Sequence, residues 1–217
     1  MTKEDVKKKM RKFGIPDERI VHGEQVCDLA LKIAEKMEKK KGGVLNRDHI
    51  IAGAIAHDAG FTRLSGKPIT VNILGKKEIT VQDDVMLHGL YGADIAKEMG
   101  YSEEVTLIIL RHELIVITRE ERKALGILPL PDHDLVPETW EEKAVMYADG
   151  LMFLAVGLGL DLWKDPEAPA KGFFDLLKAT IGRLSEEKIT LSHPVLERSN
   201  RLNAELKEYA DPGWVNM

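Results

Sequence analysis

Six residues in this sequence carry chemistry to build on: His22, His57, Asp58, His88, His112 and Asp149. Imidazole nitrogen and carboxylate oxygen together are the ligand set of divalent Zn, Mn, Fe, Co and Ni. His22 shares a helical face with Val26, Leu29, Ala30, Ile33 and Met37, which follow it by 4, 7, 8, 11 and 15 residues. Asp149 sits in the same way among Val145, Met152, Phe153 and Val156, His112 among Ile108, Ile109, Ile115 and Val116, and His88 among Val85, Gly92, Ile95 and Met99. His57-Asp58 closes the small, apolar run "IAGAIA" at 51–56. All six are therefore expected to point inward. Unpaired buried charge is costly, so they should share partners. Six protein ligands are too many for one metal with an open position, whereas two metals sharing a bridging carboxylate and a hydroxide would use them all, an arrangement suited to hydrolysis. His49, His133 and His193 lie in polar or first-turn settings and are not expected to be ligands.

Helices must carry those apolar stripes, and the punctuation between them is readable. A short amphipathic helix is predicted near 3–12, ending at Gly14. Pro16-Asp17 opens a long one to about Lys41, closed by Gly42-Gly43, and Asn46 or Arg47 starts a third that ends near Asp58. Further helices are predicted over about 84–99, 102–117 and 119–125. After the proline-rich loop 126–138 come helices of roughly 138–158, 171–188 and 194–210, the last with Ser192 as cap and Pro194 in its first turn. One segment breaks the pattern. In "PITVNILGKKEITV", residues 68–81, Ile69, Val71 and Ile73 alternate before Gly75-Lys76-Lys77, and Ile79 and Val81 after it, as in a β-hairpin. The expected class is all-α, a single helical bundle with a small β-hairpin insertion and extra C-terminal helices.

The 217 residues, 44% hydrophobic, suffice for one core. With 31 basic against 36 acidic residues, net −5, there is no electrostatic reason to expect non-specific nucleic-acid or anionic-membrane binding. A single cysteine, Cys27, suits a reducing compartment, and the charged start "MTKEDVKKKMRKFG" lacks the apolar core of a secretion signal, so a cytoplasmic location is expected. The apolar run "LMFLAVGLGL" at 151–160 is about half the roughly 20 residues that span a bilayer and reads as a buried helix.

The ordered pattern His22, His57-Asp58, His88, His112, Asp149 occurs in the settings "RIVHGEQVCDLALKIAE", "AGAIAHDAG", "HGLYGADIAKEMG", "ILRHE" and "EEKAVMYADGLM". It resembles the HD-domain superfamily of metal-dependent phosphohydrolases. More narrowly, "KFGIPDERIVH" and "LPLPDHDLVPETWEEKAVMYAD" look like a group of small stand-alone archaeal HD proteins. The resemblance covers roughly residues 5–165, with the hairpin 68–81 and the segment 166–217 outside it. It implies an HD-type domain over 1–165, and 166–217 is expected, outside the resemblance, as a helical extension packed on the same domain. It also implies that His22, His57, Asp58 and Asp149 hold a first metal, and that His88 and His112 hold a second with Asp58 as the bridge. His57 and Asp58 would then stand at the catalytic centre, with two divalent cations drawn from Mn, Fe, Ni, Co, Zn or Mg. "HDAG" replaces the commoner "HDIG", which puts Ala59 where a bulkier residue is usual and leaves the ligands untouched.

The implied reaction is hydrolysis of a phosphate ester or phosphoanhydride in a small phosphorylated substrate, expected to be a nucleotide. Arg19, Arg63, Arg111 and Lys143 are candidate phosphate contacts by proximity along the chain, with solvated surface charge as the competing reading of each. A mononuclear nucleotidase acting on nucleoside monophosphates would need only His22, His57, Asp58 and Asp149. A catalytically silent metal- or nucleotide-binding sensor is the reading outside enzymes. Substrate selection is expected at the hairpin and the 126–138 loop. The C-terminal helices, with "FFDLL", "IGRL" and "RLNAEL", are expected either to pad the core or to form a homodimer contact.

Overall fold

Helix α3 (Arg47–Ala56) is the axis of the structure, a computed structural model that describes residues 1–113, 115–157, 159, 168–180 and 186–214. Beyond its first turn α3 has no strongly polar face, since Ile50, Ala52, Gly53, Ala54, Ile55 and Ala56 are all buried. Such a helix is stable only when surrounded. Around it pack α1 (Lys3–Lys12), α2 (Asp17–Lys41), α5 (Glu103–Leu110) and α7 (Trp140–Leu151). The Asn46 side chain caps α3 by accepting from the Asp48 and His49 backbone N–H groups. Helix α2 carries Asp17 and Glu18 in its first turn and Lys39, Lys40 and Lys41 in its last, each set opposing the helix dipole at its end.

After α3 the chain tightens into a 3₁₀ turn over His57–Arg63, which packs against α4 (His88–Glu98). Between them lies the hairpin, β1 (Pro68–Ile73) and β2 (Lys77–Gln82), antiparallel with Ile69 opposite Val81 and Val71 opposite Ile79. Its turn places Leu74 and Gly75 at φ 56° and 65°. Glycine adopts that conformation freely and leucine does not. The Leu74 N–H donates to Asp175 Oδ2 at 2.9 Å, which ties the turn to α8 (Ala168–Thr180). Helix α6 (Arg119–Leu125) opens with a capping box between Thr118 and Glu121. Helix α9 (Glu186–Leu206) packs on α6, α7 and α8, and the following turn, Lys207–Tyr209, returns to α2.

Four expectations change, the first being the helix expected over 171–188, which is α8 and ends at Thr180, with residues 186–188 belonging to α9. The helix expected over 102–117 stops at Leu110, because β-branched Ile115, Val116, Ile117 and Thr118 favour extended backbone; Ile117 pairs with Leu135 in an isolated bridge. The helix expected over 138–158 becomes α7 followed by a π-helical turn, Met152–Gly157. The last helix begins at Glu186 rather than at Ser192 and carries Pro194 inside it. The hydrogen bond a proline removes is a local loss, set against packing of α9 on three neighbouring helices. Residues 181–185, with "IGRL", lie outside the described residues. Among the described residues no helix is long and apolar enough to cross a membrane.

Two glycines set how closely the site-bearing segments approach. A Cβ on Gly23 of α2 would strike the Ile55 carbonyl of α3, and one on Gly60 would strike the His88 carbonyl at the start of α4. Backbone-to-backbone contact of this kind lets side chains on separate segments meet. Gly60→Ala should therefore destabilise the fold by about 1–3 kcal/mol. Urea unfolding measures this, and an unchanged midpoint would show that α4 can move away at no cost.

Candidate metal centre

Three of the four imidazoles are held by one local device. Nδ1 of His57 donates to Ala54 O at 2.7 Å, that of His88 to Val85 O at 2.6 Å, and that of His112 to Ile109 O at 2.6 Å. A carbonyl can only accept, so each Nδ1 carries its hydrogen and each Nε2 is turned toward the interior. A backbone carbonyl behind the ring is the usual outer partner of a metal-ligating histidine.

Those nitrogens converge on two carboxylates. His57 Nε2 lies 3.3 Å from Asp58 Oδ1 and 3.2 Å from Asp149 Oδ1, yet it is buried and hydrogen-bonded to neither. His22 Nε2 lies 3.2 Å from the same Asp149 oxygen and 3.9 Å from Asp58 Oδ2. On the other side, His88 Nε2 is 3.7 Å from Asp58 Oδ1 and 2.8 Å from His112 Nε2. Two imidazole lone pairs so close repel unless something positive lies between them. An orphaned buried nitrogen between two carboxylate oxygens has the same need. The donors fit divalent ions in type, and His22, His57 and Asp149, like His57, Asp58 and His112, present ligand atoms within 4.8 Å of one another.

The electrostatics agree. Burial opposes a proton on His57, but the Asp58 and Asp149 carboxylates outweigh it and push the group up to about 9. Burial, together with the imidazoles of His88 and His57, pushes His112 down to about 3. Burial would raise both carboxyls, yet the neighbouring imidazoles hold Asp58 below the usual carboxylate range and Asp149 well below it. The site is thus a pair of buried carboxylates that draws in positive charge.

Of the candidate phosphate contacts, the structure brings Arg19 to this centre and not the others. Arg19 Nη1 donates to Asp58 Oδ2 at 3.1 Å, and its guanidinium lies 3.9 Å over the Phe61 ring. Arg63 instead pairs with Glu98 at 2.6 Å on the surface. Arg111 is buried, donating to Glu142, Glu138 and the Asp134 carbonyl. The Lys143 ammonium sits 4.5 Å from the Trp140 ring. Closeness in sequence was a poor guide, because consecutive helical residues do not face the same way. Two further residues escape a reading of the sequence. Phe61 packs 4.4 Å from the His88 ring, and Glu113 is buried with Oε1 3.6 Å from His88 Nδ1, its carboxyl pushed up by burial. Phe61 stands one turn past Asp58, a spacing that could have marked it; Glu113 reads only as a polar flank of His112.

Above the centre opens a cleft of about 600 Å³, whose lining includes Arg19, His22, Asp58, His88 and Asp149 as well as hairpin residues Pro68, Thr80, Val81 and Gln82. The 126–138 loop, expected to share in substrate selection, instead places Pro129–His133 in a second cleft of about 500 Å³ with α4 and α5. The two clefts have no lining residue in common.

Comparison with known proteins gives the family of the chain. The model of the family described as HD domain matches residues 19–152. Uncharacterized protein MJ0778 of Methanocaldococcus jannaschii is 30% identical over 183 residues, which cover 84% of this chain and 82% of that one. A tRNA (cytidine(56)-2'-O)-methyltransferase of Thermoplasma volcanium is 34% identical over 140 residues, 64% of this chain but 33% of that enzyme. Among solved structures, the HD domain of the L. monocytogenes phosphodiesterase PgpH is 17% identical with a TM-score of 0.44, covering 88% of this chain and 92% of that one.

A cation entering the centre must displace the proton that Asp58 and Asp149 hold on His57. That proton is bound below about 9, so competition is strongest at low pH and metal affinity should rise with pH until about 9. Calorimetric titration with Mn²⁺ near neutrality, in buffers of different ionisation enthalpy, should show proton release on binding. Binding without release would show that Asp58 and Asp149 do not hold an extra proton on His57 in the metal-free chain.

Proposed function

The chain belongs to the HD-domain family and is a metal-dependent phosphohydrolase, and from that premise we propose that it hydrolyses a phosphate ester or phosphoanhydride of a nucleotide at a two-metal His/Asp centre. The observation that carries the two-metal reading is the pair of facing nitrogens, His88 Nε2 and His112 Nε2, 2.8 Å apart beside Asp58. Those two histidines add nothing to a mononuclear site built from His22, His57, Asp58 and Asp149.

In this reading His22, His57 and Asp149 would hold one cation with Asp58, and His88 and His112 would hold the other. Asp58 is suited to bridging because its Oδ1 faces His57 and His88 while its Oδ2 faces His22 and Arg19. When bound, divalent cations acidify water and neutralise charge on phosphoryl oxygens. The chain's own part is to hold and orient. Backbone carbonyls fix three imidazoles, and Phe61 props the Arg19 guanidinium at the edge of the cleft beside Asp58, where it would take a phosphoryl oxygen of the substrate.

Asp58→Asn should lower phosphohydrolase activity by about a thousandfold or more while leaving a folded chain. His88→Ala and His112→Ala should each lower bound metal from about two ions per chain to about one. Metal analysis of the purified variants, with activity assayed on nucleotides in added Mn²⁺, Ni²⁺, Co²⁺ and Mg²⁺, checks both. Full activity in Asp58→Asn would refute the site assignment, and unchanged stoichiometry in both histidine variants would favour the mononuclear nucleotidase.

A further inference from the structure

The second cleft, of about 500 Å³, takes none of its lining from the six donors of the metal centre. It lies along the packed pair α4 and α5, where Leu90, Leu107 and Leu110 give it apolar surface, and Pro129, Leu130 and Pro131 close a third side. That side is held firmly. Arg122 Nε donates to the Pro129 carbonyl at 3.3 Å, Arg119 Nε to that of Pro131 at 3.0 Å, and Arg111 Nε to that of Asp134 at 2.9 Å. A loop tied at three carbonyls is in place before a ligand arrives, so little entropy is lost on binding. The volume falls within the span of small-molecule sites, about 300–1,000 Å³.

The polar groups on this lining are mostly acceptors. Asp94, Glu103 and Asp132 bring three carboxylates against one imidazole, that of His133, and one ammonium, that of Lys97, which lies 3.8 Å from Asp94 Oδ1. Pro129 and Pro131 have no N–H to offer and present only carbonyls. Tyr91 and Tyr101 add two aromatic rings, and the Tyr101 ring already carries an ammonium, with Lys9 Nζ 4.1 Å from its centre. The Tyr101 hydroxyl is buried with no hydrogen-bond partner, and burial pushes it up to about 12, so it keeps its hydrogen and can pair with a donor or an acceptor. Carboxylates, carbonyls and aromatic rings around apolar surface are the chemistry that recognises an organic cation. We propose that this cleft binds a small amine, an apolar or aromatic body bearing one ammonium group, at a site separate from the metal centre. The carboxylates take the ammonium, and the leucines and prolines take the body, at about 25 cal/mol per Å² buried. This site does not depend on the hydrolase reading.

Three ligands that share a phenyl ring on a two-carbon stem isolate the charge: 2-phenylethylamine, 2-phenylethanol and 3-phenylpropionate. Calorimetric titration of the full chain is done in Mn²⁺, so that a metal rather than the amine meets the Asp58 and Asp149 carboxylates. The amine should bind about fivefold or more tighter than the alcohol, and the carboxylate weakest, with the amine's advantage shrinking as salt is raised. Glu103→Gln and Asp132→Asn, combined in one chain at these exposed positions, should remove that advantage and leave the affinity for the alcohol unchanged. Tyr101→Phe, which keeps the ring beside Lys9, should weaken the amine about threefold. Equal affinity for the three ligands, no measurable binding of the amine, or an amine affinity unchanged in either variant overturns the proposal.

Discussion

Four imidazoles and two carboxylates face one another inside a helical bundle, and a packed interior accepts that arrangement only if positive charge stands among them. Arg19 supplies some, but only at the outer edge, on Asp58 Oδ2. Farther in, among the described residues, Asp149 pairs with histidines and with no lysine or arginine, and the two carboxylates favour a proton on His57. The His88–His112 contact, with its Nε2 atoms 2.8 Å apart, needs a proton or a cation shared between those nitrogens. The centre is therefore preorganised for small cations. Its donors are in place before binding, their rings locked from behind, so little conformational entropy remains to be lost when an ion arrives.

The helix ends make this possible. His57 follows α3 directly, His88 is the first residue of α4, and His112 comes just past α5. The last carbonyls of a helix have no partner within it. A histidine at such an end can donate Nδ1–H to a carbonyl three residues back, as His57 and His112 do to Ala54 and Ile109. One hydrogen bond then serves both as a helix cap and as the choice of tautomer. The remaining requirement is closeness. Gly23 against Ile55, Gly53 against Ile108 and Gly60 against His88 remove the spacing that side chains would impose. Those glycines weaken intrinsic helix propensity, and burial on all sides of α3 offsets the loss.

Much of this was legible in the sequence, for an identifiable reason. A titratable residue on an apolar stripe is an anomaly that one-dimensional periodicity exposes, so the six donors stood out, and the alternation over 68–81 marked the hairpin as plainly. What failed to show depends on direction in space. Arg111 adjoins His112 but points to Glu142, and Lys143 turns to Trp140. Glu113 carries no periodic signal, and the one-turn spacing of Phe61 from Asp58 does not tell which ring it meets. The helix expected over 102–117 shows a further limit. Apolar spacing continued through Ile115 and Val116, and β-branched preference with the Ile117–Leu135 bridge prevailed over it.

The cleft above the centre joins charged residues of the centre to uncharged residues of the hairpin, the π-helical turn and α8. Cations and a guanidinium stabilise any phosphoryl group in much the same fashion, so a centre of this kind can supply rate without supplying choice. Choice is a difference between substrates, and it has to be made where substrates differ, in the group the phosphate is attached to and in any further charge. Among the described residues, the cleft lining away from the His/Asp centre includes the hairpin, the π-helical turn after α7, and α8. Of these, the hairpin is stiffened by its own ladder and by the Leu74–Asp175 bond, so its uncharged face keeps its place when a ligand enters. A left-handed leucine at a turn costs energy that a glycine would not, and here it brings a backbone N–H to the α8 carboxylate that fixes the wall.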